Sequence, residues 1–163
     1  MKQTLIALVE DRPGVLDRVA SLFRRRNFNI ESLSVGHSET PGVSRMTLVI
    51  DCEDHAQQEQ VVKQFRKLID VTKVVEDVVP EVAIYRELAL IKVAASIESR
   101  SAIIQLVDIF RAQVVDVSAA SLTIETTGTE DKVDSFIDLL RPFGIKELAR
   151  TGRVAMLRGS NGR

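Results

Sequence analysis

The same order of secondary-structure patterns occurs twice along this chain of 163 residues, and the repeat limits the fold more than any other feature. Short apolar or alternating runs of strand length are interleaved with stretches that place apolar residues on one face of a helix. In chain order, each half predicts strand, helix, strand, strand, helix and strand, and a further strand predicted over 154–157 helps to close the second sheet. We therefore expect an α+β fold of two tandem ferredoxin-like βαββαβ domains.

The predicted boundary lies at Pro80-Glu81, after a strand predicted over 71–79 and before one predicted over 88–94. This divides the chain into domains at 1–79 and 80–163, each small enough to be only marginally stable alone. Each would leave one sheet face uncovered by its own helices, which predicts self-association or a covering partner. The last residues, 161–163, are predicted to fray.

Composition excludes several classes of function. The formal net charge of −1 supplies no general attraction to nucleic acid or to a membrane surface. No apolar run approaches the roughly 20 residues of a membrane-spanning helix. Cys52 is the one cysteine, which excludes an intrachain disulfide and favours a reducing cytoplasm. The sequence offers no phosphate loop, nucleophile–base pair or cluster of metal ligands, so we expect no catalytic residue and no metal site.

The strongest candidate for a binding site is the turn from the first strand into the first helix, at 11–16. It reads Asp-Arg-Pro-Gly-Val-Leu, directly before an amphipathic stretch. Free N–H groups at a helix N-terminus bind carboxylates or phosphates, and glycine permits close approach. The N–H groups of Gly14, Val15 and Leu16 would take the carboxylate of an amino acid, and a nearby carbonyl or Asp11 would take its ammonium. The alternative is a plain strand-to-helix turn with Asp11 as the cap.

A second candidate follows the first helix, at Asn29 and Ile30. The amide of Asn29 suits a hydrogen bond to a ligand or to a partner's loop. The alternative is a turn at 27–29, in which asparagine tolerates a left-handed backbone. The pattern alone favours the turn.

In several segments of both halves, the particular residues, and not only their hydrophobic periodicity, resemble those of a known family. The segments are 11–16, 25–33, 44–47, 68–71, 86–93, 109–117 and 149–155. With these segments the chain resembles the ACT domain, an amino-acid-binding regulatory module. More narrowly, it resembles the small regulatory subunits of acetolactate synthase over essentially its whole length.

The resemblance implies a regulatory subunit that is not an enzyme by itself. In that family the large catalytic subunit forms 2-acetolactate from pyruvate, using thiamine diphosphate, Mg²⁺ and FAD, so no cofactor is expected in this chain. The small subunit activates the large one and mediates feedback inhibition by valine in branched-chain amino acid biosynthesis. Two ACT domains pair as a homodimer in the cytoplasm, and valine binds at their shared interface.

Carried over residue by residue, the resemblance implies a valine site made from two subunits. One subunit would supply Asp11, Gly14, Val15 and Leu16, and the other would supply Asn29 and Ile30. Some relatives carry asparagine in place of Asp11, and a carboxylate there still accepts from an ammonium. The alternative function is a free-standing ACT-type sensor that acts on another enzyme or on a transcription regulator.

The second half lacks a matching glycine turn. Its passage from strand to helix, at 95–101, contains Glu98, which would repel a carboxylate. We therefore expect no equivalent amino-acid site there, and suggest that the second half pairs with itself or contacts the catalytic subunit.

Overall fold

The computed structural model describes residues 1–76 and 78–159 and forms two compact units. The first unit comprises Met1–Ile84 and the C-terminal segment that begins at Arg153, and the second comprises Tyr85–Gly152. Residues 80–84 and the segment from Arg153 thus group with the first half, whereas the boundary read from the sequence assigns them to the second domain. The prediction for 161–163 lies outside the described residues.

The first unit follows the predicted order of elements. They are β1 (Lys2–Glu10), α1 (Val15–Arg25), β2 (Asn29–His37), β3 (Val43–Asp51), α2 (His55–Phe65) and β4 (Val71–Val75). Their antiparallel sheet has the order β2-β3-β1-β4, which leaves β2 at one edge. This is the ferredoxin-like βαββαβ arrangement, so the fold prediction is confirmed for this half.

The second unit repeats the arrangement. Its elements are β5 (Ala83–Ala94), α3 (Arg100–Ile109), β6 (Gln113–Val117), β7 (Ser121–Gly128), α4 (Glu130–Leu140) and β8 (Ile145–Arg150). The sheet order β6-β7-β5-β8 matches that of the first unit, and β9 (Val154–Leu157) pairs with β5. The prediction of two tandem ferredoxin-like domains is therefore confirmed. Within the described part of the chain, no helix is long and apolar enough to cross a membrane.

Each unit has its own apolar core between its sheet and its two helices. In the first, Phe23 on α1 and Phe65 on α2 meet edge to face, with ring centres 5.8 Å apart. In the second, Phe110 and Phe136 stack with ring centres 4.8 Å apart. Aliphatic residues of the central strands supply the rest, and each core shields one face of its sheet.

Two predicted strand limits are wrong. The strand predicted over 71–79 ends at Val75, which is the last residue of β4 paired with β1, opposite Ile6. The strand predicted over 88–94 begins earlier, at Ala83. Its first residues include the charged side chains of Arg86 and Glu87, which conceal the strand pattern in the sequence.

The outer face of the first sheet, opposite the helices, is covered in part by the chain's own C-terminal segment. Nη1 of Arg153 donates to Oγ1 of Thr4 (2.8 Å), and Nη2 of Arg45 donates to the carbonyl of Ala155 (2.9 Å). Ala155 is 1% exposed, and Ile6 on this sheet face is also buried. The chain beyond Gly152 returns to the first unit and supplies part of the cover for this face, and self-association stays a prediction.

This return generates a stability prediction. In β9, Ala155 is buried whereas Met156 is 62% exposed. Ala155→Asp would bury an unpaired charge, and we expect it to lower the free energy of unfolding by about 3 kcal/mol. Met156→Asp is the matched control, because it adds the same charge one residue along on the exposed side. Denaturant titration of both variants measures the difference; equal stabilities would contradict the packing of β9 against the sheet.

Candidate functional site

The turn between β1 and α1 presents an uncapped helix N-terminus. Gly14 is the N-cap residue, with a left-handed φ of 87°, and no side chain caps the helix. The helical hydrogen bonds begin with the N–H of Arg18 donating to the Gly14 carbonyl at 3.0 Å. The N–H of Val15 makes a long contact of 3.5 Å with the Arg12 carbonyl. The turn therefore has the open N–H groups that an anion needs, and the interpretation of Asp11 as a helix cap is wrong.

Val15 and Leu16 begin α1 and face different surroundings. Val15 is buried in the core of the first unit, which anchors the start of the helix. Leu16 is 48% exposed and offers an aliphatic surface beside the open N–H groups. A ligand at this position would meet backbone donors on one side and an apolar side chain on the other.

Asp11 lies beside the end of β2. Its carboxylate is 3.1 Å from Nδ1 of His37, and its N–H donates to the carbonyl of Gly42 at 2.9 Å. The Asp11 side chain is 43% exposed, so its carboxylate is open to a cationic group from solvent. The structure thus brings Asp11, Gly14, Val15 and Leu16 together at the end of the sheet where β1 ends.

A buried carboxylate supports this turn from behind. The side chain of Asp70, just before β4, is 2% exposed. Its Oδ1 accepts from Nε (2.9 Å) and Nη2 (2.6 Å) of Arg12, and its Oδ2 accepts from Nε of Arg18 (2.5 Å). Its carbonyl accepts the N–H of Glu10 at 2.9 Å. Asp70 therefore holds the end of β1, the turn and the first turn of α1 in one arrangement.

These hydrogen bonds lower the pKa of Asp70. The hydrogen bond from Arg18 contributes most, followed by that from Arg12, and together they outweigh the opposing effect of burial. Asp70 is therefore ionised at neutral pH, and the two arginines are held by a charge rather than by a neutral acid.

Asn29 and Ile30 lie at the other end of the same sheet. Asn29 pairs in register with Asp51 of β3, and Asp51 in turn pairs with Lys2. Glu10 is eight residues further along β1 than Lys2, which corresponds to roughly 25 Å at the usual rise of a strand. The six site residues inferred from the sequence therefore form two separate groups within one chain.

The chain positions Asn29 through local contacts. Asn29 is the first residue of β2, so the interpretation of Asn29 as a left-handed turn residue is wrong; the left-handed asparagine of this turn is Asn27, with a φ of 57°. Nδ2 of Asn29 donates to Oε1 of Glu31 at 3.0 Å, and Ile30 packs against the core. Glu31 thus orients the Asn29 amide at the exposed start of an edge strand.

Sequence reasoning missed Arg18, His37 and Asp70, all of which lie around the turn. One available signal is the single carboxylate within the apolar run 68–71, because an acid in such a run is usually buried with a cation. Arg18 follows Gly14 by four residues, a spacing that places its side chain over the helix start. His37 leaves no comparable signal, since its contact with Asp11 arises only from strand pairing.

The corresponding passage of the second unit is arranged differently. Ser96 and Ser99 bond to one another at the start of α3, with the N–H of Ser96 donating to Oγ of Ser99 at 2.9 Å. The N–H of Ser99 donates to Oγ of Ser96 at 3.1 Å. Like α1, α3 has no side-chain cap, so the two passages differ in the residues that precede the helix.

Comparison with protein families identifies the two units. A family described as "AHAS small subunit-like ACT domain" matches residues 5–73. A second, described as "Small subunit of acetolactate synthase", matches residues 86–159. The first unit is thus an ACT domain by sequence as well as by fold, and the second matches a family of its own.

Relatives that match along nearly the whole chain indicate the same family. The chain is 54% identical over 159 residues to the acetolactate synthase small subunit of Mycobacterium bovis, covering 98% of this chain and 94% of the relative. It is 47% identical over 160 residues to the Bacillus subtilis small subunit, covering 98% and 92%. The crystal structure of the Thermotoga maritima small subunit superimposes with a TM-score of 0.91 at 46% identity, covering 98% of both chains. The chain belongs to the family of acetolactate synthase small subunits.

The Asp70 cluster generates a pH prediction. Because the folded-state pKa of Asp70 is lowered, its contribution to stability is present above the unfolded-state pKa, about 3.9, and is lost as pH falls through the folded-state value. We expect Asp70→Asn to lower the thermal midpoint at neutral pH and to reduce the loss of stability in acid. Asp108→Asn, which neutralises an exposed carboxylate on α3, is the control. Parallel midpoint-against-pH curves for wild type and Asp70→Asn would contradict this assignment.

Proposed function

We propose that this chain is the regulatory subunit of an acetolactate synthase, which activates the catalytic large subunit and makes it sensitive to valine. The observation that carries the proposal is the match along 98% of the chain to proteins named as small subunits of that enzyme. A small subunit implies a large one, and the proposal assigns the chemistry to that partner. Thiamine diphosphate, Mg²⁺ and FAD would then belong to the large subunit, and both proteins would work in the cytoplasm.

The positions of the site residues support a valine site shared by two copies of the chain. One copy cannot bring Asn29 to its own glycine turn, because the two lie at opposite ends of the sheet. A second copy can supply Asn29 and Ile30 if its sheet joins the first along an edge. The edge strand β2 begins with these residues and is largely open to solvent.

Antiparallel pairing of two β2 strands would produce the required geometry. In a twofold pairing centred on Leu33, Asn29 of one copy lies opposite His37 of the other. His37 contacts Asp11 within its own chain, at 3.1 Å. Such a pairing would therefore bring Asn29 of each copy to the Asp11 turn of its partner, and would form two equivalent sites.

The chemistry of the turn suits an aliphatic amino acid. The open N–H groups of α1 would bind the carboxylate, Asp11 would bind the ammonium, and Leu16 would contact the side chain. One methylene changes binding by about 1–3 kcal/mol, so we expect leucine and isoleucine to bind less tightly than valine. Binding at a shared site favours one arrangement of the two copies, and typical coupling of about 1–3 kcal/mol is enough to inhibit a partner enzyme.

The second unit is proposed to contact the catalytic subunit or a second copy of itself. The outer face of its sheet carries Leu90, which is 40% exposed, beside the Lys92–Glu147 ion pair at 3.2 Å. Such a mixed face is typical of an interface between protein subunits.

Reconstitution tests the function directly. The large subunit from the same source is assayed for acetolactate formation with and without this chain, across a range of valine concentrations. Higher activity with the chain, and inhibition by valine only when the chain is present, would support the proposal. Failure to bind the large subunit, together with a valine-induced thermal shift, would favour a free-standing sensor instead.

Gly14→Asp tests the carboxylate position. The new carboxylate would stand where the ligand carboxylate binds, and its Cβ would lie 2.9 Å from Nη1 of Arg18. We expect the valine concentration for half-inhibition to rise at least about tenfold, because the new carboxylate repels that of the ligand and takes its place at the helix N-terminus. Gly144→Asp is the matched control, since it makes the same change at a left-handed glycine of the second unit. Unchanged inhibition in Gly14→Asp would refute this placement of the ligand.

Mixing two defective variants tests whether the site is shared. Gly14→Asp damages the turn side and Asn29→His damages the proposed partner side. A hybrid dimer of the two has one site with both changes and one site with neither, so we expect mixed subunits to regain part of the valine inhibition that each variant lacks alone. A site within a single chain would carry one change in every copy, and mixing would restore nothing. The readout is the valine inhibition curve of the reconstituted enzyme.

A further inference from the structure

We infer that Arg18 recognises the carboxylate of the amino-acid effector and that Asp70 positions Arg18 for this contact. The inference rests on the proposed function, because it adds a residue to the same site. Arg18 lies outside the residues implied by family resemblance, and its role follows from contacts within the first unit.

The Arg18 guanidinium lies against the turn. Side chains on an α-helix lean toward its N-terminus, so a residue four positions after Gly14 covers the helix start. A Cβ built on Gly14 would be 2.9 Å from Nη1 of Arg18 and 3.7 Å from Nη2. A ligand group that approaches Gly14 closely enough to meet the open N–H groups would therefore also meet this guanidinium.

Arg18 has donors to spare. Its Nε binds Asp70, and among residues 1–76 and 78–159 no hydrogen bond is made by Nη1 or Nη2. The two terminal nitrogens of a guanidinium match the geometry of a carboxylate, and such paired hydrogen bonds are among the strongest in proteins. The Arg18 side chain is 44% exposed, which leaves those nitrogens accessible from solvent.

Asp70 keeps Arg18 in place. A long arginine side chain loses conformational entropy when it binds a ligand, and a prior contact reduces that cost. The 2.5 Å hydrogen bond from Nε to the buried Asp70 holds the guanidinium over the turn before any ligand arrives. Asp70 therefore acts as a positioning residue, and Arg18 is the residue that touches the effector.

Arg12 shares the same carboxylate but is placed differently. Its Nε and Nη2 bind Oδ1 of Asp70, and Nη2 also lies 2.9 Å from Oε2 of Glu10. Two carboxylates therefore already neutralise the Arg12 guanidinium. The two arginines make a matched pair, since they share one buried partner and only Arg18 lies over Gly14.

The test compares two ligands on three forms of the complex with the large subunit. Valine and valinamide share the side chain and the amino group, and only valine carries a carboxylate. Titration calorimetry gives both dissociation constants for wild type, Arg18→Gln and Arg12→Gln. We expect Arg18→Gln to reduce the preference for valine over valinamide by about tenfold, and Arg12→Gln to leave that preference unchanged.

The ratio separates recognition from a general effect on folding, since damage to the turn would weaken both ligands equally. Such an equal loss in Arg18→Gln would overturn the inference, and so would an unchanged ratio. Arg18→Lys is the second variant if Arg18→Gln does not fold. It retains the charge without the paired donors, and we expect a ratio between wild type and Arg18→Gln; a ratio at or above the wild-type value would count against the inference. Absence of any valine binding to the wild-type complex would instead refute the proposed function, and the inference with it.

Discussion

The first unit is organised around one buried carboxylate. An ionised side chain without water needs partners, and Asp70 finds them in Arg12 and Arg18, which come from the turn and from α1. The start of β4 is thereby tied to the end of β1 and the start of α1. Asp70 supports the turn from behind through these arginines, and no side-chain hydrogen bond caps the helix. The conformation of the turn thus depends on a charge buried behind it.

The order of elements could be predicted because each strand and helix has its own local signal. Apolar residues alternate along β3 and recur at helical spacing along α1, and Pro13-Gly14 separates a strand from a helix. The left-handed turn at Asn27 could be predicted for the same reason. Such features depend on neighbouring residues, and the structure confirms them.

Contacts between segments that are distant along the chain could not be predicted from the sequence. Asp70 is 58 residues from Arg12, and nothing in either local sequence indicates the other. The return of β9 to the first unit is a longer case, because Arg153 reaches Thr4 across 149 residues. A strand over 154–157 could be predicted from its apolar residues, but not that this segment groups with the first unit and covers part of its sheet.

The candidate site includes features that local sequence predicts and features that depend on the pairing of distant segments. Gly14 could be found from its turn, which is a local signal, whereas Asn29 was inferred from the resemblance to a family, since the pattern alone favours a turn there. That they lie at opposite ends of one sheet follows only from the strand register, which pairs Asn29 and Lys2 with the same residue, Asp51. The register therefore divides the six residues into two separate groups, which is the arrangement that the proposed shared site requires.

A sensor built from half-sites has a physical advantage over a pocket within one chain. A ligand shifts an equilibrium only by its difference in affinity between the two states. A pocket held entirely by the Asp70 cluster would be the same in every arrangement of the dimer, and binding there would report only the presence of the ligand. In the proposed dimer, where the turn of one chain meets Asn29 of the other, the ligand would bind well in one arrangement and poorly in others. Because Asp70 holds the turn of each chain fixed, ligand binding would then shift the equilibrium between the arrangements of the two chains.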